Sequence, residues 1–325
     1  MRFGSAAVTG KTRLERDARF QESGTEKSFR IEARDGTSIH VLTQGVGKRG
    51  TCVLLHGLGD GHYVWYPLMQ RLAPFWNVAA IDLRGHGDSE WSKDGCYTAH
   101  TYTDDVVRVI ESLHDEDCKA LSIVGHSLGG VVAVRVAQVL QRVTALVIVD
   151  VAPEIGEEGR RKGEGDLRSG FRRYESVSEY QRFLESTRPL ASSEMLMTIS
   201  TQGLRASGDG GFELKADPNV LDEHQIMTEE LTWAELEQVN CPVLLLRGRW
   251  SAVLKANVAM RMMSTLRRAC MREVPCSGHA VMLDNPSYFC AVVEEFLCEG
   301  RLLRGDLTGT EVAIDPAPWM ANHEC

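Results

Sequence analysis

The run from Ala120 to Gly130, Ala-Leu-Ser-Ile-Val-Gly-His-Ser-Leu-Gly-Gly, constrains this chain more than any other stretch of it. An apolar, strand-like segment, Ala120 to Val124, leads into Gly125-His126-Ser127-Leu128-Gly129, and a helical pattern over Leu128 to Leu140 follows at once. A G-x-S-x-G pentapeptide alone arises by chance. Between a strand and a helix it marks a sharp turn that lifts a serine hydroxyl above a sheet, with small neighbours that let strand and helix approach. The N–H of Leu128 then points into the same space as the Ser127 hydroxyl. The plain alternative is a Gly-rich turn without chemistry.

Short apolar runs alternate with helical patterns on both sides of this turn, which predicts an α/β chain with a mostly parallel sheet. Ser28 to Ala33 and Ser38 to Thr43 flank Asp35-Gly36, a hairpin signal, so the first pair is expected to be antiparallel. Buried strands are expected at Thr51 to Leu55, Val78 to Leu83, Ala120 to Val124, Ala145 to Asp150, Pro242 to Arg247 and Met271 to Val274. Helices are expected at Tyr102 to Leu113, Leu128 to Leu140, Asn257 to Leu266 and Pro286 to Leu297. The rhythm breaks between Pro153 and Val239, a gap far longer than one crossover helix needs. This stretch is polar and Gly-rich over Glu157 to Gly170, helical over Val177 to Leu184 and Ser193 to Leu204, and turns at Gly208 to Gly211. The expected organisation is an N-terminal tail (1–27), a core in two pieces (28–153 and 240–299), a cap inserted between them (154–239) and a C-terminal tail (300–325).

Composition narrows the class. The 325 residues carry 36 basic and 45 acidic side chains, a formal charge of -9, which gives no basic excess for nucleic-acid binding. No apolar run approaches the roughly 20 residues of a membrane-spanning helix, and the N-terminus lacks an apolar signal region. The nine cysteines show no C-x-x-C pair or metal-ligand spacing. They are read as reduced thiols in a cytoplasmic protein. No dinucleotide loop appears, because Gly57-Leu58-Gly59 lacks the third glycine, and the histidines do not cluster at ligand spacing, so neither cofactor nor metal is expected.

His56-Gly57-Leu58-Gly59 follows the apolar Val53-Leu54-Leu55, and Leu58 N–H is the candidate to join Leu128 N–H in stabilising an oxyanion. His56 is read as a hydrogen-bonded structural residue. A serine hydroxyl is a weak nucleophile until a histidine takes its proton. His279, in Ser277-Gly278-His279 after the last strand, is the candidate, since the other histidines after the turn lie in the cap (His224) and the tail (His323).

Together with Asp82-Leu83-Arg84-Gly85-His86-Gly87-Asp88-Ser89, these motifs make residues 28 to 299 resemble the α/β-hydrolase fold family. The resemblance implies a mostly parallel eight-stranded sheet with helices on both faces and a helical cap. It makes the 84–89 segment a structural turn, with Asp82, His86 and Asp88 as scaffold, and it implies the chain order serine, acid, histidine. The acid departs from the common pattern. The strand Pro242 to Arg247 continues Gly248-Arg249-Trp250-Ser251-Ala252, no Asp or Glu occurs from Arg247 through Arg272, and Ala252 stands where the acid is expected. Asp150 can replace it on geometry: a helix of about 20 Å leads away from Ser127 and a strand of about 20 Å leads back. Haloalkane dehalogenases and a bacterial acetamidomethylene-succinate hydrolase resemble this chain in that placement. In many other relatives the equivalent aspartate is structural, and that reading stays open.

The expectation is a cofactor-independent serine hydrolase acting on a small-molecule ester, lactone, thioester or amide, with no nucleic-acid or membrane partner and an undetermined oligomeric state. The alternative is a binding or interaction protein of the same fold, supported by Ala252. Trp65, Tyr66 and Trp250 are candidate substrate-pocket walls. Met195, Leu196, Met197, Ile199 and Leu204 are read as cap packing, and Arg160, Arg161, Lys162, Arg168, Arg172 and Arg173 as a solvated basic surface.

Overall fold

The computed structural model describes residues 26–113, 120–208, 210–222 and 230–299. The remainder, including almost all of the two expected tails and His224, lies outside the described residues.

Eight strands form one sheet: β1 (Lys27–Glu32), β2 (Ser38–Gly45), β3 (Thr51–Leu55), β4 (Asn77–Ile81), β5 (Leu121–His126), β6 (Val143–Val149), β9 (Val243–Gly248) and β10 (Ala269–Val274). Their spatial order is β1-β2-β4-β3-β5-β6-β9-β10. β2 pairs antiparallel with β1 and with β4, and every other pairing is parallel. β3, β5 and β9 are buried at every residue, and their unbroken apolar runs are what a parallel sheet covered on both faces requires. β1 alternates outward and inward side chains, as an edge strand does.

Helices cover both faces. α2 (Ala99–Ser112), α3 (Leu128–Val139), α7 (Trp233–Glu237) and α8 (Ala256–Thr265) pack through Val106, Val132, Leu236 and Met262 on the face that presents Val53 and Leu55. α1 (Tyr66–Leu72) and α10 (Pro286–Glu294) pack through Leu68, Met69 and Phe289 on the face that presents Cys52 and Leu54. A short helix, α9 (Val281–Asp284), precedes α10.

Between β6 and β9 the chain forms α4 (Glu157–Gly170), α5 (Val177–Thr187), α6 (Ser193–Gln202) and the hairpin β7 (Leu204–Ala206) with β8 (Phe212–Leu214). Ser176 and Ser192 cap α5 and α6, each hydroxyl accepting from the third N–H beyond it. Tyr180, Leu184, Met195, Leu196, Ile199 and Leu204 join the second core, while Met197 faces solvent. α4 corrects the sequence reading, which placed no helix there. Its glycines weaken helix propensity, and no apolar stripe announces it.

Among the described residues no helix is long and apolar enough to cross a membrane. Cys52, Cys96, Cys241, Cys270 and Cys290 are free thiols, whereas Cys276 is disulfide-bonded, a departure from the uniformly reduced thiols expected.

Candidate active site

β3 lies between β4 and β5, so the chain leaves β3 toward one side and later returns on the other. The loops that follow β3 and β5 diverge and open a crevice at the carboxyl ends of the strands, the place where open α/β sheets bind ligands. Pairing then brings the functional ends together. Leu55 lies opposite Gly125, His126 opposite Val149, Val149 opposite Leu246, and Gly248 opposite Val274. The residues just beyond these positions are Ser127, Asp150 and the turn that carries His279.

Ser127 sits at φ 51° and ψ -119°, a left-handed conformation that non-glycine residues adopt only where the surroundings enforce it. Here the Ser127 N–H donates to Val149 O at 3.1 Å and the Gly129 N–H to His56 O at 3.1 Å, tying the turn to both neighbouring strand ends. Gly129 is required by space, since a Cβ there would lie 2.3 Å from Leu55 O.

Asp150 follows β6 with φ 48° and is fully buried. Its Oδ2 accepts from His279 Nδ1–H at 2.8 Å and from the Ser251 hydroxyl at 2.5 Å, and its Oδ1 accepts from Gly248 N–H at 2.9 Å. A carboxylate only accepts, so the bond fixes the proton of neutral His279 on Nδ1 and leaves Nε2 with a lone pair. Ser251 is itself held by the N–H groups of Val253 and Leu254, each 3.1 Å from its oxygen. Sequence reasoning missed this serine, one residue before the Ala252 that replaces the usual acid.

His126 fixes His279 from the other side. Its Nε2–H donates to His279 O at 3.0 Å, and the two rings lie 4.6 Å apart. Burial, reinforced by the nearby His279, holds His126 well below the usual imidazole range, so it stays neutral. Asp284 accepts from Gly278 N–H at 2.8 Å, and burial pushes its carboxyl up to about 6.

Ser127 and His279 open onto one cavity of about 550 Å³, whose wall includes Leu58, Leu128, Ala252 and Trp250. The N–H groups of Leu58 and Leu128 donate to no other group among the described residues. Trp250 is 52% exposed at the edge of this cavity. Trp65 and Tyr66 do not reach it, a correction to the sequence reading. A 3-10 turn over His62–Trp65 buries Trp65 completely beside Phe289, and Tyr66 hydrogen-bonds His62 Nε2 at 3.3 Å. The basic residues are largely ion-paired: Arg160 with Glu230, Lys162 with Asp166, Arg172 with Glu179 and Arg173 with Glu175.

The scaffold residues are spent on structure. His56 Nδ1–H donates to Gly57 O and its Nε2 accepts from Leu83 N–H at 3.0 Å, while burial keeps the ring below its usual range. Asp82 Oδ2 accepts from His40 Nδ1, His62 Nδ1 and Asp88 N–H at 2.8, 2.8 and 2.9 Å. Burial pushes the Asp82 carboxyl up, but the bonds from His40 and His62 outweigh it and hold it well below the carboxylate range. His40, His62, Asp82 and Asp88 are close enough to surround a metal ion, yet these donors are committed to one another and Asp88 to Lys215 at 2.6 Å.

A strand-turn-helix serine, a buried aspartate on a histidine and a second loop with a spare N–H donor form an arrangement suited to hydrolase chemistry. The comparisons agree on the class: residues 52–292 match the model of the alpha/beta hydrolase family, and the chain belongs to that family. It is an enzyme of the hydrolase class. The pimeloyl-[acyl-carrier protein] methyl ester esterase of Photobacterium profundum is 26% identical over 265 residues, 80% of this chain and 99% of that protein. The 2-(acetamidomethylene)succinate hydrolase of Mesorhizobium japonicum is 26% identical over 261 residues, 79% of this chain and 92% of that one. A crystal structure of E-2-(acetamidomethylene)succinate hydrolase superimposes with a TM-score of 0.76 at 24% identity, covering 84% of this chain and 99% of that one.

Proposed function

We propose that the protein is a cofactor-independent serine hydrolase in which Ser127 forms an acyl-enzyme. In this reading His279 Nε2 takes the Ser127 proton as the hydroxyl attacks an acyl carbon, and returns it to the leaving group. Asp150 holds the imidazole in the required tautomer and stabilises the imidazolium that forms. The N–H groups of Leu58 and Leu128 receive the oxyanion, each such donor contributing on the order of 3 kcal/mol to the transition state. Water on the same path then cleaves the acyl-enzyme. The residues between β6 and β9 act as a cap that closes the cavity over a small-molecule ester, lactone, thioester or amide.

The observation that carries the reading is the 2.8 Å bond from His279 to Asp150 beside a strained Ser127 on the same cavity. It also speaks against a non-catalytic binder, since Asp150 partners His279 where Ala252 has no carboxylate to offer. Intact-mass analysis after exposure to a fluorophosphonate tests it. One adduct is expected on the wild type and none on Ser127→Ala; absence of an adduct on folded wild-type protein would overturn the reading.

A further inference from the structure

Arg188 caps the end of α5, and its Nη2 donates to Asp60 Oδ1 at 2.8 Å. Asp60 stands two residues after Leu58, so this ion pair joins the tip of a cap helix to the loop that carries an oxyanion donor. Both residues line the cavity of Ser127 and His279. The bond to Asp60 is the one hydrogen bond of the Arg188 guanidinium among the described residues, and Nη1 is buried without a partner. A guanidinium offers five N–H donors in a planar fork. Arg188 therefore has donors to spare at the cavity wall, and a quarter of its side chain is still open.

The other cations of the wall differ. Arg160 and Lys162 are paired with Glu230 and Asp166 at the solvent-exposed surface, at 3.1 and 2.7 Å. Much of the remaining lining is apolar, including Val131, Ile155, Leu167, Phe183 and Leu231. Such a wall holds the body of a small acyl compound but offers little to a charged end except at Arg188. Asp284, on the same wall, opposes an anion, so binding has to come from the geometry of the fork as well as from its charge.

Resting on the hydrolase reading above, we propose that the substrate carries a carboxylate, separate from the scissile carbonyl, which docks on the Arg188 guanidinium. A carboxylate matches the fork with two parallel hydrogen bonds, and a lysine in the same place would not reproduce them. Arg188 is then a specificity-determining residue. It selects which acyl compounds present their carbonyl to Ser127 and takes no part in bond breaking.

The test is a series of methyl hemiesters from malonate to adipate, each paired with the neutral compound in which the free acid is a primary amide. In the wild type at least one acid is expected to exceed its amide by tenfold or more in kcat/KM. Arg188→Met should bring that ratio to within about threefold of one, Arg188→Lys should fall between, and Asp60→Asn should raise it by freeing the guanidinium. A wild-type ratio near or below one throughout the series would overturn the proposal, as would a ratio that survives Arg188→Met. Calorimetric binding of glutarate against glutaramide separates this idea from the hydrolase reading. Selective glutarate binding without fluorophosphonate labelling leaves Arg188 standing and sinks the acyl-enzyme; labelling without any preference for glutarate or an acid ester does the reverse.

Discussion

At the residue scale the site turns on one carboxylate oxygen shared by two donors. Asp150 Oδ2 takes both the His279 N–H and the Ser251 hydroxyl, and the second bond draws charge away from the first. Ser251→Ala removes one of the three donors that hold the Asp150 carboxylate in place. The looser hold on Asp150 is expected to lower kcat several-fold with KM little changed; an unchanged kcat would show that Ser251 only shapes the loop. Asp150→Asn is a harsher change, because an amide can donate to Nδ1 and favour the wrong tautomer. A loss of about 10⁴ in kcat is expected with the fold intact by circular dichroism, and retention within a few-fold would place the acid elsewhere. Ser127, His279 and Asp150 could be picked out as candidates from the sequence because each follows the end of a strand marked by a hydrophobic run. Ser251, Arg188 and the clamp from His126 to the His279 carbonyl could not, since their roles come from contacts between segments distant along the chain.

At the element scale α4 is the informative case. Its sequence, EEGRRKGEGDLRSG, has neither the apolar stripe nor the propensity that announces a helix, and the strands around it were found because theirs are continuous. What holds α4 in place is partly close backbone approach: a Cβ on Gly159 would lie 2.5 Å from Ala252 O. Gly159→Ala gains helix propensity of somewhat less than 1 kcal/mol but forces the helix off the loop beside the site. The clash should win, giving a net loss of about 1–2 kcal/mol in urea unfolding. A stabilised variant would show that α4 does not bear on that loop. Trp65 failed as a pocket wall for a related reason: a short 3-10 turn after the Leu58 loop reverses its direction into the core, and no periodicity signals such a turn.

For the whole molecule the buried histidines set the response to acid. Burial lowers the imidazoles of His56 and His126 and brings that of His86 to about 3. These rings bind protons in the unfolded chain below about 6.5 but not in the native one, so each withdraws stability as pH falls. Asp284, pushed up to about 6, runs the other way: it binds its proton first in the native state, and its burden is relieved between pH 6 and 3.8. His62 is raised and so contributes stability below about 6.5 that is lost as pH rises through its folded value. The His62 contribution is largely complete below about 6.5, so between pH 6.5 and 5 the three lowered rings are opposed chiefly by Asp284, and the urea midpoint is expected to drop. A flat or rising midpoint over that range would contradict the burial of these rings. The Asp284 share can be isolated, because Asp284→Asn should stabilise at pH 7.5 and have almost no effect at pH 3.5.

Every group assigned to bond breaking stands on the sheet or its immediate loops, while much of the cavity wall, Arg188 included, comes from the stretch between β6 and β9. Recognition and reaction can therefore be inherited separately: a foreign cap grafted onto this sheet would bring a new diet to an unchanged blade. The seam is the delicate part. Asp150 is the first residue after β6, directly ahead of the stretch that leads to β9, so any graft that replaces Val151 to Pro153 also disturbs the residue bonded to His279.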